Sequence, residues 1–178
     1  MRTARSGRSA REIRCIPTLP GARTDQAWIH HCVCRCSVPT GVQIMVADGL
    51  ITLKSSYGPE HTMNRFEAEV RSKGMTVFAH IDHAAGAAGA GLPLRPTDLL
   101  IFGDARGGTP LLQANQTIGI DLPLKVLVWQ DDSGITWLAY NDPSWIAQRH
   151  DLGPEAMPTI QTMTALLSAL ATAATTCP

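Results

Sequence analysis

From residue 50 onward, apolar and polar positions recur with two periods, and each period marks an element. Leu50-Ile51-Thr52-Leu53-Lys54-Ser55 places Ile51 and Leu53 on one face, a period of two that predicts a strand. Tyr57-Gly58-Pro59 interrupts it, and Pro59 suits the first turn of a helix. Met63, Phe66 and Val70 then recur at intervals of three and four, the stripe of an amphipathic helix reaching Lys73. Glu60 near its start and Arg71 and Lys73 near its end match the helix dipole, and Gly74 closes it. Met75 to Ile81 is a second strand, with Val77, Ala79 and Ile81 expected on one face and Phe78 and His80 on the other. Asp82 is placed to cap a following run of alanines and glycines, His83 to Gly91, in which the glycines weaken the helix. After a loop from Leu92 to Pro96, Asp98 to Gly103 is apolar almost throughout and reads as a central strand.

The second half continues the alternation. Gly107-Gly108-Thr109-Pro110 predicts a short helix with Thr109 as its cap and Pro110 at its first position. Residues Ile118 to Leu122 read as extended. Lys125 to Trp129 and Ile135 to Tyr140 form two strands joined by a turn at Asp131-Asp132-Ser133-Gly134. A short helix is expected around Ser144 to Arg149. Met157, Ile160, Met163, Leu167 and Leu170 then trace the apolar face of a last helix between Pro154 and Thr172. The order is β-α-β-α-β-α-β-β-α. The predicted fold class is α+β, a mixed sheet of about five strands with helices mainly on one face.

Charge divides the chain. Residues 1–44 carry seven arginines against Glu12 and Asp25, a surplus of five, and residues 45–178 carry a matching excess of five acids. Arg2, Arg5, Arg8, Arg11 and Arg14 recur every three residues, which fits neither a helix face nor a strand. The expectation is therefore that 1–44 is a disordered leader or precedes the true start at Met45, and that 45–178 is a single domain. The string His30-His31-Cys32-Val33-Cys34-Arg35-Cys36 is metal-like in composition but lacks the second cysteine pair of a structural zinc site. The other cysteines are Cys15 and Cys177, and with residues 1–44 set aside only Cys177 remains, so no disulfide framework is expected and a reducing, cytoplasmic setting fits. A formal net charge of zero argues against a nucleic-acid partner, and no run approaches the length of a membrane span.

Few polar residues are placed for chemistry. Asp82-His83 ends a strand and opens a helix, where a carboxylate and an imidazole can act as acid and base, or as a cap and its neighbour. Gly107-Gly108-Thr109 before a helix offers free N–H groups to an anion, without the lysine of a phosphate-binding loop. Arg95 beside Pro96 is a candidate anion clamp or a loop salt bridge. Asp121 and Lys125, four apart around Pro123, can pair to shape a turn. No nucleophile motif is present, and no metal or cofactor is assigned.

The strings Gly74 to His83, Gly91 to Thr97, Gly107 to Gln113, Asp121 to Lys125 and Tyr140 to Pro143 together resemble the bacterial domain of unknown function 302 family, over most of Tyr57 to Pro143. The resemblance implies a compact fold that often dimerises and carries no established activity. Where that family suggests Gly-Asn-Pro, this chain has Gly103-Asp104-Ala105. The leading expectation is a soluble homodimeric module binding a small anionic ligand through Asp82, His83, Arg95, Gly108 and Thr109. The alternative is a small enzyme with His83 as general acid or base and Asp82 orienting it. Asp82, His83, Arg95 and Thr109 converge on one concave site if the strands ending at His83 and leading to Thr109 are parallel neighbours. The composition break predicts that deletion of residues 1–44 leaves the melting temperature of the remaining chain unchanged, as measured by calorimetry of both forms.

Overall fold

A computed structural model describes residues 44–47 and 49–177; the leader expected over 1–44, with its cysteine-rich string, lies outside the described residues except for Ile44, which belongs to the first strand. Six strands form one sheet: β1 (Ile44–Ala47), β2 (Leu50–Lys54), β3 (Thr76–Asp82), β4 (Thr97–Gly103), β5 (Leu124–Gln130) and β6 (Thr136–Asn141). Their order across the sheet is β1-β2-β6-β5-β4-β3. Helices α1 (Pro59–Ser72), α2 (His83–Gly89), α3 (Ala105–Ala114), α4 (Pro143–Arg149) and α5 (Met157–Thr175) punctuate it. The α+β class and the predicted order from β2 onward are observed. The sheet differs in one respect. Every neighbouring pair runs antiparallel, where a mixed sheet was expected.

One face of the sheet makes the core. Leu53, Leu100, Phe102, Val126, Val128, Leu138 and Tyr140 stand on it and are buried beneath Met63, Phe66 and Val70 of α1 and Ile160, Leu167 and Leu170 of α5. Phe66 meets Phe102 edge-on at 5.3 Å between ring centroids, a favoured aromatic geometry. Leu111 of α3 and Ile146 of α4 join the same cluster, so the helices do lie mainly on one side. Buried polar groups are matched: Ser55 Oγ and Thr62 Oγ1 share a bond of 2.7 Å, and Thr62 also donates to the carbonyl of Gly58. Arg65 of α1 donates to the carbonyls of Ala173 at 2.6 Å and Ala174 at 3.3 Å, satisfying the last turn of α5 with the cation its dipole favours.

Several boundaries move for local reasons. Between β3 and β4, Val77 faces Phe102 and Ala79 faces Ile101, so Phe78 is an extra residue in a bulge. Directly opposed residues share a face. Past the bulge His80 therefore sits with Leu100 on the helix side, and Ala79 and Ile81 sit with Ile101 and Leu99 on the other, reversing the simple alternation predicted for Val77, Ala79 and Ile81. Helix α3 starts at Ala105 with Asp104 as its cap, five residues before the expected Pro110, which lies inside it. Residues 118–122, expected to be extended, instead belong largely to a 3₁₀ turn at Gln116–Ile120. Gly49, at φ +80, closes the β1–β2 hairpin, and a side chain there would run into the Trp145 ring. In the β5–β6 turn, Trp137 Nε1 donates to Asp131 at 2.7 Å. That bond, with the N–H groups of Ile135 and Ser133, holds the Asp131 carboxyl below its ordinary pKa.

Leu167 is 1% exposed at the centre of the α5 face. Leu167→Asp is expected to destabilise the domain by about 3–5 kcal/mol in urea denaturation, because a charge would enter the core in place of a packed side chain.

Candidate functional site

Antiparallel pairing decides which polar residues can meet. Asp82 lies opposite Asp98 at one rim of the sheet, and Thr76 lies opposite Gly103 at the other. The seven residues of β4 separate those rims by about 20 Å. Asp82, His83 and Arg95 are at the first rim, whereas α3 with Gly108 and Thr109 begins at the second. The expected convergence of Asp82, His83 and Arg95 with Thr109 is therefore not formed, and Gly108 lies with Thr109 at the second rim.

At the first rim, Asp82 Oδ1 accepts the N–H of Ala85 at 2.7 Å and caps α2. His83 is the first residue of that helix and is exposed. Arg95 reaches the β5–β6 hairpin, where Nε donates to the carbonyl of Gln130 at 3.1 Å and the guanidinium pairs with Asp132. A shallow depression of about 400 Å³ lies beside α1, lined by Glu60, Asn64, His80, Asp82 and Asp98. His80 Nε2 stands 3.3 Å from Asp98 Oδ1. Among the described residues no three His, Cys, Asp or Glu side chains are grouped to hold a metal ion.

The second rim carries the large cavity, a groove of about 630 Å³. Its walls come from four parts of the chain. Met75 and Phe78 come from just before and within the start of β3, Leu112 from α3, Leu122 and Pro123 from the segment before β5, and Met163 and Leu166 from α5. Gly103, Gly107, Gly108 and Gly119 supply bare backbone. Phe78, the bulged residue, is 58% exposed, although an aromatic ring normally seeks cover. Asp104 Oδ1 accepts the N–H of Arg106 at 3.0 Å. The departure from Asn therefore keeps the cap, since both residues serve at that position. Two consecutive glycines inside α3 each cost roughly 0.5–1 kcal/mol relative to alanine. A Cβ at Gly107 would meet nothing within 4 Å, so helix packing does not require glycine there.

The wall around Leu122 is held by a network that sequence reading did not find. Asp121 does not pair with Lys125 through its carboxylate. Lys125 Nζ instead donates to the main-chain carbonyls of Asp121 at 3.1 Å and Pro123 at 3.3 Å. The Asp121 carboxylate takes His150 Nε2 at 2.7 Å and Arg149 Nη1 at 3.2 Å. His150 Nδ1 meets Thr117 Oγ1 at 2.9 Å, and Asn115 Nδ2 donates to the His150 carbonyl at 2.7 Å. His150 and Asp121 side chains are only 7% and 10% exposed. A carboxylate–imidazole–hydroxyl chain can pass a proton, yet here each member also has a structural partner, and the groups clasp the 3₁₀ turn to the end of α4. His150 gave no local signal, because it lies 29 residues from Asp121 and neighbours no recognisable motif.

This architecture is a two-layer α+β domain: an antiparallel sheet, one helical layer and an apolar groove at one rim. The family model described as "Domain of unknown function DUF302" matches residues 51–170, and the chain belongs to that family. The fold is shared with the crystal structure of an uncharacterized conserved DUF302 protein from Bacillus stearothermophilus. The TM-score is 0.65 at 21% identity, over 72% of this chain and 99% of that one. The chain is also 50% identical over 109 residues to a protein named fluoride-specific ion channel FluC 1 from Brucella suis biovar 1 (strain 1330). It is equally similar to the protein of that name from Brucella abortus biovar 1 (strain 9-941). The match covers 61% of this chain but only 43% and 40% of those proteins, so the chain spans about two fifths of their length. No helix among the described residues is long and apolar enough to cross a membrane.

Two substitutions test the build of the site. His150→Ala strands the Asp121 carboxylate with Arg149 alone and is expected to cost about 1–3 kcal/mol in urea denaturation. Gly107→Ala is expected to raise stability by about 0.5–1 kcal/mol in the same assay.

Proposed function

We propose that this chain is a small-ligand-binding module whose site is the groove between α3, α5 and the rim of β3 to β5. One observation carries the reading: a cavity of about 630 Å³ framed by apolar side chains and glycine backbone. That volume lies within the range of small-molecule pockets, which are mostly apolar with a few polar groups. The exposed Phe78 and the helix-weakening glycines support it, since each departs from what stability alone would select. In the Brucella proteins named fluoride channels, the portion resembling this chain would act as a ligand-binding appendage, consistent with the lack of a membrane-crossing helix among the residues described here. The reading includes a homodimer, which rests on the family resemblance. A monomer mass in analytical ultracentrifugation at micromolar concentration would remove that part.

The enzyme alternative has less support. Asp82 Oδ1 is committed to the Ala85 N–H, which favours the cap over a catalytic partner of His83.

Nile red, a neutral apolar dye, probes the groove directly. It is expected to brighten on binding the protein, and Thr162→Trp is expected to weaken that binding about tenfold, because Thr162 is an exposed lining residue whose enlargement fills the space. Circular dichroism should be unchanged. Dye binding that survives Thr162→Trp undiminished would place the site elsewhere.

A further inference from the structure

The groove's lining is uneven in chemistry. Its polar side chains are Asp104, Arg106, Thr159 and Thr162, and the rest is apolar or glycine. Two of these four have their groups engaged. Asp104 Oδ1 caps α3, and Thr162 Oγ1 donates to the carbonyl of Pro158 at 2.9 Å. Arg106 is different. Among the described residues its guanidinium makes no hydrogen bond or ion pair, and it is the only cation of those that line the cavity.

Its position does not serve the helix. Arg106 stands at the second position of α3. The partial positive charge at a helix start favours acids and disfavours a base. Other arginines of the domain are placed differently. Arg65 binds the last carbonyls of α5, Arg71 pairs with Glu67, Arg95 with Asp132 and Arg149 with Asp121. A guanidinium is built to receive a planar anion through paired N–H donors, and its hydrocarbon stem packs readily along apolar surface.

We infer that the groove takes an amphipathic monoanion of the alkyl carboxylate class, its chain among Phe78, Leu122, Met163 and Leu166 and its head group on Arg106. The inference rests on the groove being the ligand site. Charge complementarity selects the head: among the described residues Arg106 is the lining cation without a side-chain partner and matches one anion, whereas the Asp104 carboxylate is already engaged as the cap of α3. A cationic surfactant would meet Arg106 as a like charge, and a neutral alcohol would leave it as it is now.

Displacement of Nile red by three ligands of one chain length separates the possibilities: decanoate, decanol and decyltrimethylammonium, each below its micelle concentration. Decanoate is expected to bind about tenfold more tightly than the other two, as a charge-assisted pair at the edge of an apolar site provides. Arg106→Ala and Arg106→Glu should abolish that preference while leaving decanol unchanged, and Arg106→Lys should restore part of it. The residue is exposed, so circular dichroism should report folded variants. Equal binding of all three ligands, or a decanoate preference that persists in Arg106→Glu, would overturn the anion assignment and leave the groove as the site. Failure of all three ligands to displace the dye would overturn both the assignment and the groove itself.

Discussion

Strand β4 is hydrogen-bonded on both edges to antiparallel neighbours, and that pairing decides where everything else in the domain can be. Leu100 and Phe102 of this strand are fully buried under α1, so its register cannot slip by one residue without turning both side chains out of the core. With β4 fixed, the end of β3 and the start of β4 must share one rim. The end of β4 and the start of β5 must share the other. The first rim collects Asp82, Asp98 and His80 beside α1. The second collects the start of α3, the Leu122-Pro123 segment and the start of α5, and a cavity opens between them.

That cavity is assembled from pieces distant in sequence, and its walls need independent support. The α5 wall is secured by the core face of that helix and by Arg65 gripping its last carbonyls. The wall bearing Gly119 and Leu122 is anchored by Ile118, which is fully buried in the core, and Leu122 packs against the same cluster. It also relies on the Asp121–His150–Thr117 clasp, whose buried members satisfy one another and tie the turn to α4. A buried network of this kind is costly when broken and stiff when complete, and it adds to the hold that Ile118 has in the core.

The third wall shows the opposite bargain. Helix α3 has glycines at two successive positions, a proline in its interior and a cation near its positive end. Each lowers helix stability. Local rules broken together at one place, facing a cavity, support the proposed site there, since departures of this kind tend to collect where function competes with packing.

Much of this domain was legible in its sequence, because the signals are local. Periodicity located β2 to β6 and the α1 and α5 stripes, since a strand repeats every two residues and a helix every three to four. Capping chemistry identified Asp82 ahead of α2, and the strings around Gly74–His83 and Gly107–Gln113 pointed to the family. Strand direction was not legible. The connections through α2 and α3 leave parallel and antiparallel neighbours equally open to a local reading, and the choice between them separated Asp82 and His83 from Gly108 and Thr109. The bulge at Phe78 was invisible for the same reason: an extra residue is defined only against its partner strand. His150 and Arg106 acquired meaning from what surrounds them, one clasped to Asp121 and the other beside the groove with no side-chain partner among the described residues. Sequence alone therefore determined most of the elements, much of the core and the family, but not β1, the start of α3 or the 3₁₀ turn at Gln116–Ile120. Tertiary structure decided which rim each polar residue occupies, because hydrogen bonding between strands and burial of one sheet face are long-range constraints that no short window contains.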